Sequence, residues 1–322
     1  MAMPTRQVLQ AGSSLFHGTG AQGSPDEAVA SCRVLSDADF ANVSRIIHRE
    51  TGIVITAAKK SMLVSRLSRR LRSLGLTDFS DYVALLHGPS GTAERRALVS
   101  AVTTNVTGFF REPHHFRALA DIGQSLVARA RSGGRVRLWS AGCSTGQEAF
   151  SIAATLLAIA PDVARYDLRV LATDIDPVVI DAARAGVFDR QVVGERPPEQ
   201  ISRFLKQGPN PDQVVISEAL QGLIRFEELN LLQPWPFQKQ FDVIFCRNVV
   251  IYFDGDTRHD LWMRFAARMP EGASLFIGHS ERMDIRLDPL FVPAGVTQYK
   301  RTALQVADRS AGTGLKSGSG RV

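Results

Sequence analysis

Cysteine is scarce in this chain of 322 residues, which has only Cys32, Cys143 and Cys246. An odd, widely spaced set excludes a disulfide framework and a paired-cysteine zinc site, so reduced thiols are expected. Long apolar runs are missing too: no window approaches the roughly 18 uninterrupted apolar residues of a transmembrane helix. The opening MAMPTRQVLQAGSSLFHGTG lacks the basic start and long apolar segment that export requires. A cytoplasmic location without membrane insertion is therefore expected. Acid is absent locally, since between Lys59 and Arg72 six cations occur without one Asp or Glu.

What is present is ordinary for a soluble globular protein, with 44% apolar and 22% charged residues. The length suits two domains. The net charge of +6 is uneven, because residues 33–110 hold eleven Lys or Arg against six Asp or Glu. That imbalance suits an acidic partner, whether nucleic acid, anionic lipid or an acidic protein helix. Residues 1–32 and 303–322 are rich in small polar residues without periodicity and read as disordered tails.

From about 36 to 105 the apolar spacing is helical. Phe40, Val43, Ile46 and Ile47 follow the capping residues Ser36 and Asp37, and Gly52 follows the last turn. Over 57–74, Leu63, Leu67, Leu71 and Leu74 form one stripe, with Lys59, Arg66, Arg69, Arg70 and Arg72 on the remaining faces. Without nearby acids to pair them, these cations predict a partner-binding face.

After about 134 short apolar runs alternate with helical stretches: RVRLWS, DLRVLATD, LIRFEEL, FDVIFC and ASLFIGH. This is the pattern of a parallel α/β sheet, whose ligand lies at the carboxyl ends of the strands. The first run ends in SAGCSTGQE, residues 140–148, a turn of small residues that is neither GxGxxG nor a phosphate loop, since no Lys follows the last Gly. Glu148 reads either as a cofactor contact or as the capping-box partner of Thr145. Asp174 ends the second run, where a carboxylate can accept from vicinal ribose hydroxyls, and Asp176 precedes Pro177 as an N-cap. Asn230 and Leu231 end the third run, and Arg247 with Asn248 the fourth. A buried Arg there needs a cleft and an anion. Ahead of the sheet, TTNVTGFFREPHHF (103–116) suggests a segment across the cleft mouth. His114 and His115 are adjacent rather than four apart, so no metal is expected.

TTNVTGFFREPHHF, LWSAGCSTGQEAFSIA, LATDIDPVVIDAARAGVF, FDVIFCRNVVIYFD and LFIGHSERM, in this order between 33 and 302, make the chain resemble the bacterial chemoreceptor glutamate methyltransferases of the CheR family. The resemblance implies an α/β fold: an all-helical N-terminal domain (33–105), a linker and cleft-lining segment (106–133), and a Rossmann-like class I methyltransferase domain (134–302) binding S-adenosylmethionine. A small antiparallel β insert is implied at about 187–224. Cofactor contacts are implied for Asn105, Thr107, Arg111, Glu148, Asp174, Asn230, Leu231, Arg247 and Asn248, with Arg111 and Tyr252 at the reaction centre. Lys59, Arg66, Arg69, Arg70 and Arg72 would face the methylation helices of a receptor, and Phe109, Phe110, Tyr252 and Phe253 would keep the cleft dry. The enzyme would be a monomer, recruited from the cytoplasm to membrane receptor arrays.

Two departures from the family stand out. Gln147 replaces a second acid of some members. Gln207-Gly208-Pro209-Asn210 replaces an Arg-Gly-x-Gly turn that receives a C-terminal receptor pentapeptide by strand addition, so that tether is not expected to be used. A glutamate carboxylate is already ionised at pH 7, which explains why no general base is evident. A nucleic-acid methyltransferase is the competing enzyme reading, but CRNVVIYF stands where [ND]PP[YF] would be expected. A cofactor-binding scaffold without chemistry is the third, opposed by Arg111 and Tyr252.

Overall fold

The computed structural model describes residues 34–194, 198–287 and 289–303. The tails expected at 1–32 and 303–322 lie outside the described residues, residue 303 aside. Four α-helices open the described residues: α1 (Asp37–Thr51), α2 (Lys60–Leu74), α3 (Phe79–His87) and α4 (Gly91–Val102). The Ser36 hydroxyl accepts from the Asp39 N–H to start α1, and Gly52, at φ 73°, ends it. Leu63, Leu67 and Leu71 of α2 are fully buried against Val43, Ile47, Tyr82 and Leu98. Each such side chain contributes about 2 kcal/mol by leaving water.

Residues 106–133, expected as linker, contain the nineteen-residue helix α5 (Pro113–Arg131). Pro113 starts it at a position where its missing N–H costs nothing, and Phe116, Leu119 and Val127 bury against the sheet. Then come β1 (Val136–Ala141), α6 (Gln147–Ile159), β2 (Leu168–Asp174) and α7 (Pro177–Ala185). The insert follows with β3 (Val187–Asp189), the single turns α8 (Arg190–Val193) and α9 (Glu199–Ser202), β4 (Leu205–Gln207), β5 (Gln213–Ile216) and α10 (Glu218–Gln221). The described residues close with β6 (Ile224–Glu228), β7 (Val243–Cys246), α11 (Gly255–Ala266), β8 (Ser274–Ile277), β9 (Phe291–Gly295) and β10 (Gln298–Arg301).

Among the described residues, seven strands form one sheet in the order β6-β2-β1-β7-β8-β10-β9, with β10 antiparallel to both neighbours. β3, β5 and β4 form a separate antiparallel sheet. Along β1, Leu138 joins the core under α5 and α6, while Trp139 joins the core under α11. Alternation along one strand therefore covers both faces, and β7 and β8 are buried throughout. The carboxyl ends of β1, β2, β6 and β7 meet the helical domain, and the site lies there.

Candidate active site

Gly142, at φ 90°, opens the turn after β1, and a Cβ there would lie 2.3 Å from Val249 Cγ2. Only glycine fits. The turn is fixed by Asp174, whose carboxylate accepts from the Ser144 N–H at 2.8 Å and the Asp176 N–H at 3.1 Å. Burial pushes the Asp174 carboxyl up, and these amides oppose it. Glu148 does not cap α6: the Thr145 hydroxyl bonds Gln147 Oε1 instead. Glu148 accepts from Ser140 Oγ at 2.7 Å and from Arg247 Nη1 at 3.0 Å. A buried carboxylate gains more from a cation than a helix start gains from a cap. Burial pushes Glu148 up, against the pull of Arg247 and Ser140.

Arg247, at the end of β7, has a side chain 2% exposed. Its Nη2 donates to the Arg111 carbonyl at 2.5 Å and lies 3.4 Å from Glu112 Oε2. Protein groups thus hold both Nη atoms of the guanidinium, while its buried Nε has no hydrogen-bond partner among the described residues. Asn248 follows at φ 61°. That turn is held by buried Glu281, which accepts from the Val249 and Val250 N–H groups at 2.9 and 3.0 Å and from the Gly278 N–H. Of five described non-glycine residues at positive φ, Phe110, Glu112, Ser144 and Asn248 surround this place. Strained backbone of this kind persists where surroundings over-determine it, as at ligand sites.

These elements line a cleft that is open to solvent. It is lined by Asn105, Thr107, Arg111, Glu148, Asp174, Asn230, Leu231, Arg247, Asn248 and Tyr252, together with Ile55, Lys59 and Met62 of the helical domain. Two of the expected contact residues also brace the walls. The Asn105 side chain donates to Asp176 at 2.9 Å, and that of Asn230 donates to the Glu50 carbonyl at 2.7 Å. Phe253 lines the cleft with Tyr252, but Phe109 and Phe110 do not. They pack edge-on against Phe188 and Phe116 at 5.2 and 5.0 Å, because the sheet core offers them more apolar contact.

The expected basic face divides. Lys59 enters the cleft, its Nζ 5.5 Å from the Tyr252 ring centre. Arg66 instead caps α4 through the carbonyls of Val102 and Thr103 at 2.5 and 3.0 Å. Arg70 pairs with buried Glu94, which also accepts from the Tyr82 hydroxyl at 2.8 Å. Arg69 and Arg72 are exposed and have no ion pair among the described residues. One donor atom each of Glu112, His114 and His115 lies within 4.8 Å of the others. Helix-face spacing missed this convergence, because Glu112 precedes α5. The Arg247 guanidinium lies 3.4 Å from Glu112 Oε2, and that oxygen, His114 Nε2 and His115 Nδ1 make no hydrogen bond among the described residues.

The CheR methyltransferase all-alpha domain matches residues 38–103, and the CheR methyltransferase SAM binding domain matches residues 105–299. The chain belongs to the CheR methyltransferase family. It is 47% identical over 80% of its length to a probable chemotaxis protein methyltransferase of Rhizobium etli, covering 97% of that protein. Against the chemotaxis protein methyltransferase of Escherichia coli the identity is 42%, covering 82% of this chain and 91% of that one. The enzyme is thus a methyltransferase that uses S-adenosylmethionine, as the five motifs implied. The donor set of the cleft fits that group. Two buried carboxylates, Glu148 and Asp174, suit ribose hydroxyls and positive charge, and Ile55, Met62, Val106 and Leu231 provide apolar wall for a purine. Glu112 and Glu281 escaped the sequence reading. Glu281 stands in the GHSER run that did carry the resemblance, and an acid so close to an apolar strand end was the available signal.

Proposed function

We propose that the enzyme methylates glutamate side chains on the cytoplasmic helices of chemoreceptors, giving methyl esters, and that it does so at membrane receptor arrays. The observation carrying this reading is the charge arrangement of the cleft. Glu148 and Asp174 are matched by Arg247 and by backbone N–H groups, whereas Lys59 and Arg111 face the same space without a carboxylate partner among the described residues. A carboxylate entering there meets two cations that no acid among the described residues pairs with, while the cleft's own acids are already engaged.

Bound S-adenosylmethionine supplies an electrophilic methyl group. The residues of this chain would then orient and dry the incoming carboxylate rather than deprotonate it, since it is ionised at pH 7. Arg111 would fix its direction, Tyr252 would offer a hydroxyl at the reacting centre, and Tyr252 with Phe253 would exclude water, which otherwise stabilises the separated charges. Exposed Arg69 and Arg72 would engage the acidic receptor helix. The reading includes no C-terminal tether: the turn after β4 is closed by its own groups, with Gln207 Nε2 donating to the Asn210 carbonyl at 2.9 Å and Arg190 to the Pro211 carbonyl at 2.9 Å.

Labelled methyl donor with a receptor cytoplasmic fragment, followed by peptide mapping, tests the reading. Base-labile label on glutamates is expected, and transfer to RNA or DNA instead would overturn it. Micromolar binding of the receptor pentapeptide in a titration would overturn the tether-free part alone.

A further inference from the structure

Glu112 does not line the cleft, yet it adjoins Arg111, which does. Its backbone is left-handed at φ 58°, and Phe110, on the other side of Arg111, is left-handed at φ 52°. Non-glycine residues avoid this region, so a pair of them flanking one side chain requires an external hold. The Glu112 carboxylate supplies one. Its Oε1 accepts from the His279 N–H at 3.3 Å and bonds the His279 ring Nδ1 at 2.9 Å. Its Oε2 lies 3.4 Å from Arg247 Nη2, the same nitrogen that donates to the Arg111 carbonyl. One side chain therefore ties the Arg111 backbone to the turn after β8 and, through Arg247, to the end of β7. The Arg111 guanidinium makes only one hydrogen bond among the described residues, to the Val106 carbonyl at 2.9 Å. Its direction is set by its backbone more than by partners at its tip.

We propose that Glu112 is the positioning residue for Arg111, acting through His279 and Arg247 to aim the guanidinium at the substrate carboxylate. This rests on the carboxyl methylation proposed above. In an in-line transfer the nucleophilic oxygen must be aligned, and a displacement of about 1 Å in a group that aligns it costs about 100-fold in rate. With the Glu112 anchor gone, the two left-handed residues can relax and Arg111 turns away, while Asp174, Glu148 and the turn after β1 keep their own bonds.

The test is a double-mutant cycle on the full chain, with turnover on a receptor cytoplasmic fragment and cofactor affinity by calorimetry. Glu112→Ala is expected to lower kcat about 10- to 100-fold, with cofactor affinity unchanged. In an Arg111→Ala background the same substitution is expected to cost nothing further, because the group it positions is gone. Glu112→Gln keeps an acceptor for the His279 N–H and is expected to fall between Glu112→Ala and the parent, which preserves the test if the alanine variant folds poorly. Turnover per cofactor-binding site equal to the parent in Glu112→Ala, or losses that add in the double variant, would overturn the assignment. A parent enzyme inert on the receptor fragment would overturn the methylation reading and this inference with it.

Discussion

Two kinds of polar residue share the cleft, and substitution separates them. Asp174 spends its carboxylate on backbone N–H groups that shape the turn after β1, so Asp174→Asn places an amide N–H₂ against one of those donors. The expected cost is about 1–3 kcal/mol of cofactor binding, or roughly 10- to 100-fold in Kd by calorimetry. Among the described residues the Tyr252 side chain braces no loop, and that of Arg111 makes only its bond to the Val106 carbonyl, away from the turn after β1. Arg111→Ala and Tyr252→Phe are expected to lower single-turnover rate about 100-fold with cofactor Kd unchanged; a matching loss of affinity would show that both hold the cofactor instead. The sequence made Asp174 and Arg247 legible because a charge at the end of an apolar run has few uses. It left Glu148 open between two readings, since the local S/T-x-x-E pattern cannot show that Arg247, 99 positions later, claims the carboxylate. Glu112 acts through His279, 167 positions later, and Glu281 through Gly278 nearby and through Val249 and Val250, 32 and 31 positions earlier; local pattern is silent about the distant ones.

Helix α2 shows what periodicity can and cannot give. The leucine stripe predicted the buried face, but the cations beside it have four different fates, and α4 decides those of Arg66 and Arg70. Glu94→Ala would leave Arg70 facing a buried gap and strip the Tyr82 hydroxyl of its acceptor, at an expected cost of about 3 kcal/mol in denaturant unfolding. Arg69→Ala with Arg72→Ala, both exposed, are expected to change stability by less than about 0.5 kcal/mol while raising KM for the receptor fragment. In α5, His115 is buried with its Nε2 on Thr297 Oγ1 at 2.7 Å. Burial, then Arg247 and His114, push its pKa down to about 4. The folded protein thus keeps His115 neutral while the unfolded chain binds a proton below about pH 6.5. Its contribution to stability is complete above pH 6.5 and declines as pH falls toward 4, by an amount on the order of a few kcal/mol. Denaturant titrations at pH 7 and 4.5 are expected to show a smaller decline for His115→Gln than for the parent.

At the scale of the molecule, the cleft is a joint product of two domains that the sequence distinguished by period but could not dock. Asp176, read as an N-cap, does cap α7 through the Val178 N–H at 3.0 Å. It also accepts from Ser100 Oγ at 2.6 Å, Thr103 Oγ1 at 3.2 Å and Asn105 Nδ2 at 2.9 Å. The end of α4 and the segment after it are thereby fastened to the methyltransferase sheet. Beside it, the Val54 N–H donates to the Tyr252 carbonyl at 2.9 Å, and His48 meets Asp254 at 3.0 Å. Asp176→Ala removes a cap worth about 1 kcal/mol and strands three donors, for an expected total near 3 kcal/mol. Because the helical domain keeps its own leucine core and the sheet keeps both its faces, the first effect is undocking rather than global unfolding. Amide exchange is therefore expected to quicken at 103–107 and 53–55, with cofactor binding weakened through the loss of Ile55, Lys59 and Met62 from the wall. Asp176→Asn, which retains an acceptor for the cap, is expected to lie between. Quickened exchange confined to α7 with cofactor affinity intact would mean that the carboxylate only caps its helix, and that the remaining contacts suffice to hold the cleft closed.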